Sequence, residues 1–258
     1  MPSIQSHLMS WVLWFTGKRI CSSAENLRKA VDNDRRTRDP APPKKLQGKL
    51  NIEEKQQSGQ AVHTLSLSQT RPPRPPYFTS MAAESLNATV VVPIYPLAPE
   101  TKLLAIYEAV GPIHNELAAT ATQGKPFWCG WDSAGGSMTV VLTRQGLDAD
   151  QPTASRLLLI SPALDYSLAN PDLHAAAKSD PWLDVPVVKE MANLVCPDLA
   201  TNDPRLSPIY GKLGGLPPML ILAGGADLLT PDTRIFADKA REKGGRRQND
   251  RVAPPTHR

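Results

Sequence analysis

Cysteine is scarce in this chain of 258 residues. Cys21, Cys129 and Cys196 are the three, and they form no spaced cluster. So sparse and odd a count argues against a disulfide framework and a thiolate zinc site, and suits a reducing, cytoplasmic setting. Neither internal repeats nor a glycine-rich phosphate loop is present, so no metal or organic cofactor is expected. Long apolar runs are missing too. Trp11-Val-Leu-Trp-Phe15 is five residues long, against about 20 needed to span a bilayer, and no secretory leader is expected. That run reads first as part of a helix docking on the domain. Peripheral contact of Trp11–Phe15 with a membrane surface is the alternative.

Net positive charge is lacking where a nucleic-acid groove would need it. The overall +4 divides into +1 over residues 1–27, +5 over residues 28–49, −7 over residues 50–238 and +5 over residues 239–258. The body is acidic and the basicity sits in the flanks, so no nucleic-acid partner is expected. What the chain has in excess is proline: 26 residues, about twice the usual share. With only 41% hydrophobic residues, part of the chain is expected to lie outside a packed core.

Periodicity then orders the chain. Residues 7–31 read as a helix, with Leu8, Trp11, Val12 and Phe15 at spacings of three and four. Residues 32–49 are charged and proline-containing, and read as a linker. Ala61–Leu67 alternates like a strand with one wet face, which makes His63 an exposed residue. Ser68–Pro76 holds four prolines; it denies the backbone its donors and reads as extended and unpaired, with a proline-rich ligand as the lesser reading. A short helix at 78–86, a doubly covered strand at 88–95 and a helix at 101–122 interrupted at Gly111-Pro112 follow. The strand Phe127–Cys129 is expected to stop at Gly130, with a helix from Gly136 to about Gln145. Further strands are expected at 156–161 and 218–223. Helices are expected near 187–194 and at 232–243. Strand and helix alternate from about 78 to 243, which calls for a parallel sheet covered on both faces.

Trp131-Asp-Ser-Ala-Gly135 falls between the elbow strand and its helix. A serine on a sharp turn between strand and helix is lifted above the end of a parallel sheet, the layout of a nucleophile elbow. The plainer reading of Ser133, or of Asp132, is a helix N-cap. Several other segments occur in a telling order: Tyr95-Pro-Leu-Ala-Pro-Glu100, Asp132-Ser-Ala-Gly-Gly136, Ser161-Pro-Ala-Leu-Asp165, Asp180-Pro-Trp182, Asp203-Pro-Arg-Leu-Ser-Pro208 and Leu216–Leu229. Together they resemble the hormone-sensitive-lipase-like family of α/β-hydrolases over roughly residues 77–243. The resemblance implies an α/β-hydrolase fold, a mostly parallel sheet flanked by helices under a partial cap. It implies hydrolysis of small carboxylic esters of the acetyl type. Ser133 would be the nucleophile, Asp227 the acid, His257 the base and the Ala134 N–H an oxyanion donor. Asp132 is expected to be structural.

Three departures from that pattern bear on activity. Trp131 stands two residues before the serine where a small residue is usual, so an extra turn residue or a distorted elbow is expected. No His-Gly-Gly-Gly loop occurs, as though a central strand and its loop were missing. His257 has the right spacing from Asp227, but residues 244–258 form a basic, proline-containing tail that is not expected to make the last strand. His114 and His174 have no motif around them, and His7 lies in the N-terminal helix. The chain thus reads as residues 1–76 (helix, linker and proline-rich segment, candidate cap elements), a hydrolase core at 77–243 with cap segment 165–210, and a tail at 244–258. A serine esterase, intact or impaired, is the leading function. A catalytically inactive small-molecule binder on the same fold, or a truncated non-functional relative, are the alternatives.

Overall fold

The computed structural model describes residues 24–37, 50–67, 82–83, 85–121, 124, 126–243 and 251–252. The Trp11–Phe15 run, the proline-rich Ser68–Pro76, His7 and His257 lie outside the described residues.

Helix α1 spans Ala24–Thr37, so it runs six residues into the stretch read as a linker. It buries Leu27 against Val187, and the Arg28 guanidinium donates to Glu190 at 2.6 and 2.8 Å. Strands β1 (Leu50–Gln57) and β2 (Gln60–Leu67) form an antiparallel hairpin. Ser58 at φ 49° and Gly59 at φ 81° make its two-residue turn, the left-handed pair that matches strand twist. Strand β3 (Val90–Ile94) adds antiparallel to β2. His63 is buried on β2, with Nε2 3.6 Å from Glu54 Oε2, contrary to the exposed position expected. Both neighbours of β2 cover it, and helix α2 (Leu103–Ala121) packs nearby.

Helix α2 passes through Pro112 without a break. A mid-helix proline forfeits one backbone hydrogen bond. Pro112 and Glu108, whose carbonyl loses that donor, are both exposed, so water can take the orphaned group.

The second sheet is fully parallel, in the order β4-β5-β6-β7. β4 is Trp128–Asp132, β5 Arg156–Pro162, β6 Met219–Ala223 and β7 Arg251–Val252. Its connections include helix α3 (Ser133–Asp148), helices α4 (Leu173–Ser179) and α5 (Val185–Val195), a 3-10 turn at Pro208–Tyr210, and helix α6 (Thr230–Glu242). The core lies between this sheet and α3 and α6, around Val140, Leu157, Leu159, Ile221 and Phe236. The tail is not wholly irregular as expected: Arg251 and Val252 pair with Leu222 and Ala223. A parallel partner needs only backbone groups, so a basic residue at a sheet edge can supply them.

Among the described residues, no ladder joins β1-β2-β3 to β4-β5-β6-β7. β3 and β4 are each terminal in their own sheet. The link between the halves is helical, with Ile106, Tyr107 and Val110 of α2 packed on Val141 and Leu142 of α3. No helix among the described residues is long and apolar enough to cross a membrane.

Candidate active site

β4 does not stop at Gly130. It runs in register with β5 from Trp128 opposite Arg156 to Asp132 opposite Ile160. A Cβ at position 130 would lie 2.0 Å from the Leu158 carbonyl oxygen, so only glycine lets β5 approach there. The chain then turns at once into α3, and the turn is Ser133 itself, at φ 49°. A left-handed conformation at a non-glycine residue is costly and persists where its surroundings enforce it. Here the Ser133 carbonyl accepts from Ala163 N–H at 3.0 Å, and Ser133 bridges Pro162, the last residue of β5.

No extra residue enters the turn, so the bulk of Trp131 is absorbed in another way. A Cβ at position 135 would lie 2.8 Å from Trp131 Cβ and 2.7 Å from its Cδ1. The glycine on the helix side makes the room that is missing on the strand side. The indole is 39% exposed. Gly136 does the same for β5, since a Cβ there would lie 2.7 Å from that of Pro162. Asp132 holds the N-cap position of α3 but makes no side-chain cap, and Ser133 follows that position instead of occupying it. Ala134 follows in the first turn of α3, where N–H groups have no intrahelical acceptor and the helix dipole favours negative charge. Ser133 and Ala134 are exposed.

Asp227 stands in the turn after β6, four residues beyond Ala223, at the carboxyl end of the sheet, where Ser133 also sits. Its Oδ1 accepts from Leu229 N–H at 2.8 Å. Burial pushes its carboxyl above the ordinary carboxylate range. The Ser161 hydroxyl and the Leu229 N–H pull the other way, the Asp180 charge adds to the rise, and the Gly224 N–H opposes it. β7 runs parallel to β6, so Val252 ends toward that same end of the sheet.

Of the described histidines, His114 lies at the opposite end of β4 from this corner. His114 is buried on α2, its ring edge-on to Phe127 at 5.8 Å. Phe127 lies just before β4 and Ser133 just after it, and a five-residue strand is about 16 Å long. Burial lowers the His114 pKa. His174 is exposed on α4. Cys129 is no competing nucleophile, since burial pushes its thiol up to about 11. Among the described residues, no group of three His, Cys, Asp or Glu could hold a metal ion.

The parts played by two carboxylates were not legible in the sequence. Asp180 is 4% exposed. It accepts from three backbone N–H groups: Trp182 at 2.7 Å and Leu183 at 2.8 Å on Oδ1, and Leu228 at 2.7 Å on Oδ2. The signal that could have found it is the Asp-Pro dipeptide, since a carboxylate at a turn start accepts from the N–H groups two and three residues on. Asp232 is buried on α6 and accepts from Asn170 Nδ2 at 2.7 Å. Nothing in its local sequence marks that burial.

Ser133, in a strand-to-helix turn, and Asp227, in the turn after β6, both stand at the carboxyl end of the parallel sheet, and comparison with known proteins identifies the fold. The chain belongs to the alpha/beta hydrolase fold family, whose pattern it matches over residues 72–257. It is 29% identical over 149 residues to an esterase of Acinetobacter venetianus, covering 57% of this chain and 49% of that one. It is 28% identical over 172 residues to an acetyl-hydrolase of Streptomyces hygroscopicus, covering 65% and 56%. The chain thus spans about half the length of these curated relatives. The solved structure of an esterase from the bacterial hormone-sensitive lipase family superposes with a TM-score of 0.75 at 20% identity, covering 95% of this chain and 86% of that one.

Proposed function

We propose that this protein hydrolyses small carboxylic esters of the acetyl type through an acyl-enzyme on Ser133. The observation that carries the reading is Ser133 at φ 49° in the strand-to-helix turn, at the same end of the sheet as Asp227. A serine hydroxyl is a weak nucleophile at neutral pH and needs a base to take its proton. His257 is the base in this proposal. It is the fifth residue after Val252, and five residues of chain reach up to about 17 Å. The Ser133 oxygen adds to the ester carbonyl carbon as its proton passes to His257. The alcohol leaves with that proton, and water then repeats the sequence to release the acid. Asp227 holds the imidazole and stabilises its cation.

The Ala134 N–H is the oxyanion donor of the proposal. Without the donors of a His-Gly-Gly-Gly loop, turnover is expected about two to three orders of magnitude below that of a site with a full set. The named esterase and acetyl-hydrolase relatives support the ester class and the acetyl size. Hydrolysis of p-nitrophenyl acetate by the purified chain and by Ser133→Ala tests the reading. Loss of the enzymatic rate in the variant is expected, and equal rates would refute it. Unchanged activity in His257→Ala would remove that residue as the base.

A further inference from the structure

The turn that carries Asp227 is held by a group from elsewhere in the chain. Asp180 closes α4, and its backbone N–H donates to the Ala176 carbonyl at 3.1 Å. Its side chain then turns inward. One oxygen takes the N–H groups of Trp182 and Leu183, and the other takes that of Leu228, the residue next to Asp227. Leu228 is itself buried among Leu173, Ala177 and Val188 of α4 and α5. One carboxylate thus joins the segment between α4 and α5 to the turn between β6 and α6.

We propose that Asp180 is a positioning residue for Asp227, clamping the acid turn against the α4–α5 segment and setting the charge that Asp227 meets. The proposal rests on the reading of Asp227 as the acid. A capping or turn-forming role alone would be met by the Trp182 and Leu183 hydrogen bonds. The Leu228 bond is different, because it crosses 48 residues to fix the backbone one position from Asp227. Asp180 is also the charged group that acts on Asp227 among the described residues, and it disfavours the ionised form. The remaining partners of Asp227 are neutral: the Ser161 hydroxyl and the N–H groups of Gly224 and Leu229. On α6, Asp232 is engaged with Asn170 and carries the influence of Asp165 instead.

Asp180→Asn in the full chain separates the roles. The amide keeps an oxygen for Trp182 and Leu183, but loses the charge and turns a donor toward Leu228 N–H. Carboxyl NMR titration, with Asp227 assigned through Asp227→Asn, is expected to show Asp227 titrating at lower pH in the variant. For p-nitrophenyl acetate, kcat is expected to fall about tenfold with KM within about twofold, since substrate is not touched. A folded variant in which Asp227 titrates as in the wild type would overturn the proposal. Should Asp180→Asn not fold, Asp180→Glu keeps the charge and displaces the carboxylate: exchange of the Leu228 amide is expected to speed up at least tenfold with Leu159 unchanged, and an unchanged Leu228 rate overturns the clamp. Both readouts are independent of turnover. A chain inactive before and after Ser133→Ala would therefore end the esterase reading while the clamp is still decided.

Discussion

At the scale of single residues, two positions turn geometry into measurable free energy. Asp232 is buried on α6, and burial, with Asp165 adding to it, raises its carboxyl to about 6, while Asn170 acts in the opposite direction. Its folded pKa lies above the unfolded value, so the native state holds the proton more tightly. The stability it allows is complete below about pH 4, falls as pH rises and is lost above about pH 6. Asp232→Asn keeps an oxygen for Asn170 and removes the charge. It is expected to stabilise the protein at pH 7 to 8 by roughly 1 to 3 kcal/mol, and to change little at pH 4. Urea unfolding at both pH values reads the difference, and an equal effect at the two would contradict the assignment. The second position is Gly135. Gly135→Ala puts a methyl against Trp131 Cβ, an atom with no freedom to swing away. The cost is expected to be about 1 to 3 kcal/mol. Because the clash is with that side chain, Trp131→Gly should recover part of the loss in the double variant, a coupling that a double-mutant cycle measures directly.

Elements differ in how far their residues announce them. β5 and β6 are short apolar runs between turn signals, and their sequence bounds agree with the structure to within a residue or two. The elbow was legible as strand, serine and helix, but its bounds were not. Gly130 looks like a stop in isolation and is instead the place where β5 comes closest. β1 could not be read at all: Leu-Asn-Ile-Glu-Glu-Lys-Gln-Gln has almost no apolar face, and the strand exists because β2 offers it a ladder. β7 is two residues held by β6 alone, again a tertiary effect invisible in composition. For the site, Ser133 and Asp227 stood out through the segments around them. Asp180 also lies in one of those segments, but its hold on Leu228 was not legible, because that partner is distant in sequence. α1 shows the same dependence on tertiary context, being charged at half of its positions and anchored through Leu27 and Arg28 on α5. Leu27→Ala removes that apolar anchor, a change that costs about 2 kcal/mol or more in a core. On this peripheral helix the loss should appear as local opening. Hydrogen exchange is expected to speed up about thirtyfold in α1 with β5 and β6 unchanged, and a uniform change across the chain would contradict the local anchor.

The molecule as a whole is divided in an uncommon way. The antiparallel β1-β2-β3 and the parallel β4-β5-β6-β7 are separate ladders among the described residues, and the described packing between them runs through α2, chiefly on α3, with His114 on Phe127 and the Tyr107 hydroxyl on the Arg205 carbonyl beside it. Tyr95 at the end of β3 and Leu103 at the start of α2 lie against that seam, as does Met138 of α3. The parallel half has its own core, centred on Leu159, Ile221 and Phe236, and α3 contributes to both, Val140 to one and Val141 and Leu142 to the other. A continuous central sheet would spread the effect of a cavity through both halves, since its backbone bonds form and break together. A helical seam predicts otherwise. Leu142→Ala empties the contact with α2 while leaving Val140 and the parallel core intact, so amide protection should fall in β1–β3 and α2 by a factor set by about 2 to 5 kcal/mol. Protection in β5, β6 and α6 should stay within a few-fold of wild type. Because Ser133 and Asp227 both belong to the parallel half, reaction of Ser133 with a small fluorophosphonate should survive the substitution. Equal loss of protection in both halves, with labelling lost alongside, would mean that the two sheets unfold as one unit.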